Sequence, residues 1–132
     1  NQVSCSVGMA VLDIMENEGL QQNAMEIGSF LKEKLEMLKN TFPLIGDVRG
    51  EGLFLGVELV LDPETREPAP IHANYLVERL KSRKILLSTE GPGHNVLKFK
   101  PPMVFSHSDS QNLLVEMQRV LRESPMQKNF KI

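Results

Sequence analysis

Three glycines interrupt a run of strand-forming residues in the middle of this chain, and they limit how the run can fold. The run reads "DVRGEGLFLGVELV", and the glycines are Gly50, Gly52 and Gly56. Glycines within a strand pattern indicate a bulge, a bend or the close approach of another backbone. We therefore predict a strand over residues 46–49, a bend from Gly50 to Gly52, and a second strand over residues 53–61.

Helical and strand patterns alternate around this run. Residues 3–17, 20–39, 71–83 and 106–123 are predicted helices, and residues 85–88 and 96–100 are further predicted strands. The resulting order, α-α-β-β-α-β-β-α, predicts an α+β fold in which helices pack on a small, mostly antiparallel sheet. Residues 1–123 then form one domain, and residues 124–132 show no pattern and are predicted to be a tail.

The N-terminus of the last predicted helix carries a specific signal. Ser106 and Asp109 fit the capping box, in which the serine oxygen accepts a backbone N–H and the acidic side chain bonds back. We expect this helix to begin at Ser106.

Composition and charge exclude several classes of function. The chain of 132 residues has a net charge of −2, which gives no electrostatic footprint for nucleic acid. No apolar run reaches the length of a membrane span. His72, His94 and His107 are far apart in sequence, so no metal site is predicted. The single Cys5 is compatible with a reducing compartment, and the expected location is intracellular, either mitochondrial or cytoplasmic.

The glycine-rich run does not match a phosphate-binding loop. Such loops open a helix, whereas here a strand follows the glycines. We therefore interpret Gly50 and Gly52 as structural. Arg49 lies beside the bend and could hold a carboxylate bidentately. Its favoured interpretation is a structural ion pair, either within the domain or with a neighbouring one.

The stretch "NVLKFKPPM" raises a second question, because Lys98 and Lys100 share one face of a predicted strand. One interpretation is a solvated edge strand, on which lysines discourage pairing with another sheet. The other is that Lys98 offers a point charge to an anionic substrate. Spacing alone leaves both open. The preceding polar residues, from Ser88 to His94, are interpreted as a surface loop rather than as an acid–base site.

Three segments together resemble a known family. "DVRGEGLFLGVELV", "NVLKFKPPMVF" and the opening "NQVSCSVGMAVLDIMENEGL" are similar to the C-terminal small domain of class III (fold-type I) pyridoxal phosphate (PLP)-dependent aminotransferases. The family usually has Asn-Pro where this chain has Asn1-Gln2. The resemblance implies an N-terminally truncated chain that lacks a large domain, and with it the PLP-binding lysine. It also implies PLP bound mainly by that domain, a homodimeric full-length enzyme, and no catalytic residue or activity in this chain alone.

One position suggests a subgroup. In the family the strand that matches "VLKFKPP" often carries an Arg that binds the substrate α-carboxylate, and here the residue is Lys98. "LKFKPPM" with "STEGPGHN" before it resembles the phospho-lyases of O-phosphoethanolamine or 5-phosphohydroxylysine. This implies elimination of phosphate from a phosphorylated amine or amino acid, with Lys98 as a substrate-binding residue.

Two alternatives remain. The first is a class III aminotransferase of the alanine–glyoxylate type, in which an Arg is expected at the position of Lys98. The second is a free-standing α+β binding module. If the first helix has lost a partner, we expect it to expose Val7, Val11 and Ile14.

Overall fold

The computed structural model describes residues 1–126 of the chain. In chain order its elements are the helices α1 (Gln2–Asn17) and α2 (Leu20–Lys39), the strands β1 (Ile45–Glu51) and β2 (Phe54–Leu59), the helix α3 (Pro70–Ser82), the strands β3 (Ser88–Glu90) and β4 (Val96–Phe99), and the helix α4 (His107–Leu121). The predicted α+β order is confirmed. A short 3-10 helix, Ser124–Met126, follows α4, and its Met126 is buried. The rest of the predicted tail, residues 127–132, lies outside the described residues.

The four strands form one antiparallel sheet in the order β1-β2-β4-β3. β4 pairs on one side with β2, where Leu55 lies opposite Phe99, and on the other with β3, where Ser88 lies opposite Lys98. β4 is therefore an interior strand. The interpretation of Lys98 as part of a solvated edge strand is wrong.

One face of the sheet is buried under helices. Five apolar side chains on this face are at most 2% exposed: Leu55, Val57, Leu59, Leu97 and Phe99. Helices α2 and α3 pack against the sheet, and α4 packs against both helices. The sequence alternates Val57 and Leu59 with Glu58 and Val60, which predicts one covered face. Within β2 this holds, because Val57 and Leu59 are buried while Glu58 is not. Val60, just beyond the strand, is only 1% exposed, so the alternation ends with β2. The opposite face of the sheet is left open.

The strand predicted over residues 85–88 is displaced, since the observed strand is Ser88–Glu90. The end of α3 explains the shift. Lys84 has a φ of +65°, and the N–H of Ile85 donates to the carbonyl of Leu80 at 3.0 Å, as in a helix-terminating Schellman motif. Ile85 therefore still belongs to the end of the helix. It packs against the core without joining the sheet. An apolar sequence pattern cannot distinguish such a core-packed helix end from a buried strand.

The predicted bend is also shorter than expected. β1 continues through Gly50 to Glu51, and only Gly52 and Leu53 form the turn. Gly50 and Gly52 have φ values of +123° and +53°, which side chains rarely adopt. A Cβ atom on Gly50 would lie 2.1 Å from the carbonyl oxygen of Phe54. The close backbone approach predicted for this run thus occurs within the hairpin.

Ion pairs join α3 to the end of α4. The guanidinium of Arg79 donates twice to the Glu123 carboxylate, at 2.8 Å each, and the Tyr75 hydroxyl donates to it at 2.6 Å. Arg83 adds a fourth hydrogen bond at 3.2 Å. These hydrogen bonds, chiefly those from Arg79, lower the pKa of Glu123 to about 2. The two helices are therefore linked by charge as well as by apolar packing.

α1 differs from the other helices because none of its residues is buried. Val7, Val11 and Ile14 are 58%, 49% and 49% exposed, as predicted for a helix without its partner.

α4 begins as predicted, with Ser106 as its N-cap and a complete capping box to Asp109. Within residues 1–126, no helix has the length and apolar character needed to span a membrane.

Candidate functional site

The open face of the sheet brings two of the predicted residues into one row. Arg49 of β1 lies opposite Gly56 of β2, Gly56 lies opposite Lys98 of β4, and Lys98 lies opposite Ser88 of β3. Neighbouring strands are about 4.8 Å apart. The two cations therefore stand two strand spacings apart, with a residue that has no side chain between them.

A second row beside the first carries the negative charges. Asp47 lies opposite Glu58, Glu58 opposite Val96, and Val96 opposite Glu90. Because alternate residues of a strand share a face, both rows point away from the helices. Together the two rows contain two cations and three carboxylates.

Gly56 leaves a shallow concavity of about 580 Å³ in the middle of this face. Arg49, Phe54, Val96 and Lys98 line it, together with Glu90. A Cβ atom on Gly56 would lie 3.3 Å from Cγ1 of Val96, so even a methyl group would begin to fill the space. Lys98 therefore lies at the border of this concavity.

Lys98 is held by a partner that sequence reasoning missed. Its ammonium donates a hydrogen bond to Oε1 of Glu90, and the side chains of Lys98 and Glu90 are 37% and 51% exposed. The hydrogen bond from Lys98 lowers the pKa of the Glu90 carboxyl. Lys98 is thus one half of an ion pair on the open face.

Arg49 forms the internal ion pair favoured by the sequence. Its Nη1 donates to Oδ2 of Asp47 at 2.8 Å and to Oε2 of Glu58 at 2.6 Å. The hydrogen bond to Asp47, followed by that to Glu58, raises the pKa of Arg49, and in return the Arg49 contact lowers the pKa of Asp47. The side chain remains 51% exposed. Its contact with a further domain stays a prediction.

The tip of the β1–β2 hairpin is fixed to α2. A Cβ atom on Gly28 of α2 would lie 2.0 Å from the carbonyl oxygen of Gly52, so helix and turn are in direct backbone contact. The ammonium of Lys32 donates to the carbonyl of Gly50 at 3.0 Å. Gly50 and Gly52 therefore act structurally here, and they hold the strand that carries Arg49.

Two asparagines anchor the segments on either side of β4. The buried Asn95 donates from its side chain to the carbonyl of Leu59 at 2.7 Å. Asn23 of α2 donates to the carbonyls of Met103 and Phe105, at 2.7 and 3.1 Å. Both lie far in sequence from the groups they bind, and no local pattern indicated them. They fix the strand that carries Lys98.

The other candidate residues are not gathered into a site. Of the polar residues from Ser88 to His94, Glu90 contacts Lys98 directly. His107 stacks against Phe30 with ring centroids 4.1 Å apart. Among residues 1–126, no group of three or more potential metal ligands is present.

With this geometry known, comparison with known proteins identifies the family. The sequence model of the family described as Aminotransferase class-III matches residues 1–121. The chain belongs to this family. The resemblance predicted from the sequence is therefore confirmed, and the α+β fold is that of a segment of a fold-type I enzyme.

Curated relatives match almost the whole chain. The chain is 43% identical over 122 residues to "Alanine--glyoxylate aminotransferase 2-like" of Drosophila melanogaster, covering 92% of the chain and 25% of that protein. It is 36% identical over 122 residues to "Ethanolamine-phosphate phospho-lyase homolog 1" of Caenorhabditis elegans, covering 92% of the chain and 26% of that protein. The chain thus spans about a quarter of the length of these relatives.

A solved structure has the same fold. It is a phospholyase from Arthrobacter in complex with phosphoethanolamine, which matches with a TM-score of 0.87 and 36% sequence identity. The match covers 93% of this chain and 29% of that one.

The family is PLP-dependent, but the described residues do not form a PLP site by themselves. A site for the cofactor needs free donors for its phosphate and a lysine amine for its aldehyde. On the open face both cations are already paired with carboxylates, Arg49 with Asp47 and Glu58, and Lys98 with Glu90. The described residues present a charged, concave surface whose cations are already paired, and this surface does not fit the cofactor by itself.

Proposed function

We propose that this chain is the small domain of a PLP-dependent phospho-lyase whose large domain lies in a longer parent protein. The parent enzyme would remove phosphate from a phosphorylated amine or amino acid. The observation that carries this proposal is the position of Lys98, which borders the concavity of the open face. The family resemblance implies that Lys98 stands where other members carry a carboxylate-binding Arg. Similarity over 93% of the chain to a phospholyase in complex with phosphoethanolamine supports it.

The reaction consumes one water per phosphorylated amine. With O-phosphoethanolamine, the carbon–oxygen bond to phosphate breaks, the carbon–nitrogen bond is hydrolysed, and water supplies the oxygen of the aldehyde. The products are acetaldehyde, ammonia and inorganic phosphate. When bound, PLP supplies an electron sink for the carbon that carries the amine. The present chain would contribute shape and charge to one wall of the site.

The replacement of Arg by Lys has a chemical reason under this proposal. An Arg guanidinium binds a carboxylate with two parallel hydrogen bonds, whereas a lysine ammonium provides a single point charge. Phosphoethanolamine has no carboxylate, so the loss of the bidentate fork costs little with this substrate. Lys98 therefore fits a site that does not need to grip an α-carboxylate.

The apolar face of α1 supports the presence of a further domain. Val7, Val11 and Ile14 are each about half exposed on one helix, which is typical of a surface that another domain covers. We propose that the large domain covers this helix in the parent enzyme. A homodimer is proposed on the family resemblance.

The first test measures the products of the full-length parent enzyme with PLP. We expect inorganic phosphate and ammonia to be released from O-phosphoethanolamine or 5-phosphohydroxylysine, without transfer of an amino group from alanine to glyoxylate. Amino transfer without phosphate release would instead support the aminotransferase alternative. That alternative is favoured by the 43% identity to the Drosophila protein named for alanine–glyoxylate activity.

The second test separates Lys98 from its neighbouring lysine. In the parent enzyme, Lys98→Ala should lower kcat/KM for the phosphorylated substrate by about ten- to a hundredfold, because it leaves the Glu90 carboxylate unpaired beside a phosphorylated substrate. Lys100→Ala is the matched control, since Lys100 is exposed and lies just beyond the end of β4. Unchanged kinetics in both variants would remove Lys98 from the site.

A further inference from the structure

Glu90 and Lys98 face each other on the open side of the sheet through a diagonal cross-strand contact. Glu90 lies opposite Val96 in the pairing of β3 with β4, and Lys98 is two residues further along β4 on the same face. The Lys98 ammonium donates to the Glu90 carboxylate. Such diagonal neighbours are within reach of long side chains. The antiparallel register of the two strands therefore forms the pair.

The charges around the Glu90–Lys98 pair do not favour the binding of a substrate carboxylate beside it. In the two rows of the open face, Arg49 and Lys98 are opposed by Asp47, Glu58 and Glu90, which leaves one negative charge in excess. Arg49 already makes two contacts with carboxylates, at 2.8 and 2.6 Å. A substrate carboxylate that enters the concavity would meet no unpaired cation in either row.

Competition for Lys98 is also unequal. A substrate carboxylate would have to displace the Glu90 carboxylate, which is the same chemical group but belongs to the same chain. A tethered partner has a high effective concentration, so it outcompetes a free one of equal intrinsic strength. Lysine lacks the second hydrogen-bonding edge with which an arginine could hold both carboxylates.

We propose that Glu90 determines specificity: by occupying Lys98, it denies a binding partner to a carboxylate on the carbon that carries the reacting amine. The substrates selected are then primary amines in which that carbon is an unsubstituted methylene and the next carbon carries the phosphate. Phosphoethanolamine has this structure, and so does the terminal amine end of 5-phosphohydroxylysine. This inference rests on the proposed function and deepens it.

The test uses two phosphorylated substrates that differ only in the carboxylate. O-phospho-L-serine is phosphoethanolamine with a carboxylate on the amine-bearing carbon, and both release inorganic phosphate. With the full-length parent enzyme and PLP, the ratio of kcat/KM for phosphoethanolamine to that for phosphoserine should be large. In Glu90→Gln it should fall by about tenfold or more, because the freed ammonium can pair with the phosphoserine carboxylate.

Two further variants distinguish specificity from stability. Glu90→Asp keeps the negative charge and should keep most of the preference. Glu78→Gln is the matched control, because it breaks a Glu–Lys pair of the same kind, with Lys81 at 3.3 Å, on an exposed part of α3. It should leave the ratio unchanged. A general loss of stability would lower both activities together and would not move their ratio.

The outcomes separate the two proposals. Phosphate release from phosphoethanolamine with an unchanged ratio in Glu90→Gln would overturn the role of Glu90 and leave the proposed function standing. A wild-type enzyme that cleaves both substrates equally well would do the same. Release of phosphate from neither substrate would overturn the proposed function and this inference with it.

Discussion

The two faces of the sheet use the same strands but opposite kinds of side chain. On the covered face, Leu97 and Phe99 of β4 are at most 1% exposed and pack into the core. On the open face, Lys98 of the same strand reaches outward to Glu90. The covered face has apolar contacts throughout, whereas the open face has a concavity bordered by ion pairs.

The buried apolar side chains of the covered face stabilise the fold, whereas the charged side chains of the open face are those that we expect the parent enzyme to use. Burying apolar area is the main source of folding free energy, while exposed ion pairs contribute little. The charges of the open face are therefore poorly explained by stability. The substrate-binding role proposed for Lys98 offers a better explanation for at least one of these charges. Substitutions on the two faces should consequently have very different effects.

The largest expected effect is on the covered face. Leu97→Ala should lower the free energy of unfolding by about 2–5 kcal/mol, because it leaves a cavity in a fully buried site. Urea unfolding of the chain measures this change. Val96→Ala, one residue away on the open face, is the control and should cost about 1 kcal/mol or less. Equal losses in the two variants would contradict the division into two faces.

A smaller effect is expected where α2 contacts the hairpin that carries Arg49. Gly28→Ala should destabilise the chain by about 1–3 kcal/mol, because its methyl group would overlap the carbonyl of Gly52. Gly8→Ala in α1 provides the opposite control, since apart from its chain neighbours and its own helix backbone nothing lies within 4 Å of an added Cβ. That variant should gain up to about 1 kcal/mol from helix propensity. Thermal unfolding of both variants should therefore show shifts of opposite sign.

The covered face was largely predictable from local patterns. Helical spacing located the four α-helices of residues 1–126, and the alternation of Val57 and Leu59 with Glu58 identified the buried side of β2. The capping box placed the start of α4 at Ser106. These features depend on residues close together in sequence, so a pattern is enough to find them.

The open face was less predictable, because its contacts depend on strand order and register. The sequence singled out Lys98 and Arg49, but β4 was considered a possible edge strand and β3 was placed three residues too early. With that error Glu90 falls in a loop. Once β3 is paired with β4, Glu90 lies diagonally across from Lys98. If the segment around "STEGPGHN" is interpreted as a β-hairpin, the register of its two strands places Glu90 near Lys98. That interpretation could have revealed the contact.

The contact between α3 and α4 should depend on pH. The pKa of Glu123 is about 2 in the folded chain, below its usual value of 4.5, so its contribution to stability is complete above about pH 4.5 and is lost as the pH falls toward 2. Glu123→Gln should lower the free energy of unfolding by about 1 kcal/mol at neutral pH. The loss should shrink as the pH approaches 2. Glu33→Gln, which removes one member of an exposed pair with Lys34, is the control and should change the free energy of unfolding little.

The smallest expected effect on stability is at Lys98. Lys98→Ala removes a partly exposed ion pair, so the free energy of unfolding of this chain should change by less than about 1 kcal/mol. The same substitution in the parent enzyme is expected to reduce kcat/KM by about tenfold or more. Urea unfolding of the chain and kinetics of the parent enzyme, measured on the same variant, test both expectations. A loss of stability as large as that of Leu97→Ala would mean that Lys98 supports the fold, and the contrast between the two faces would then no longer favour a role for Lys98 in the site.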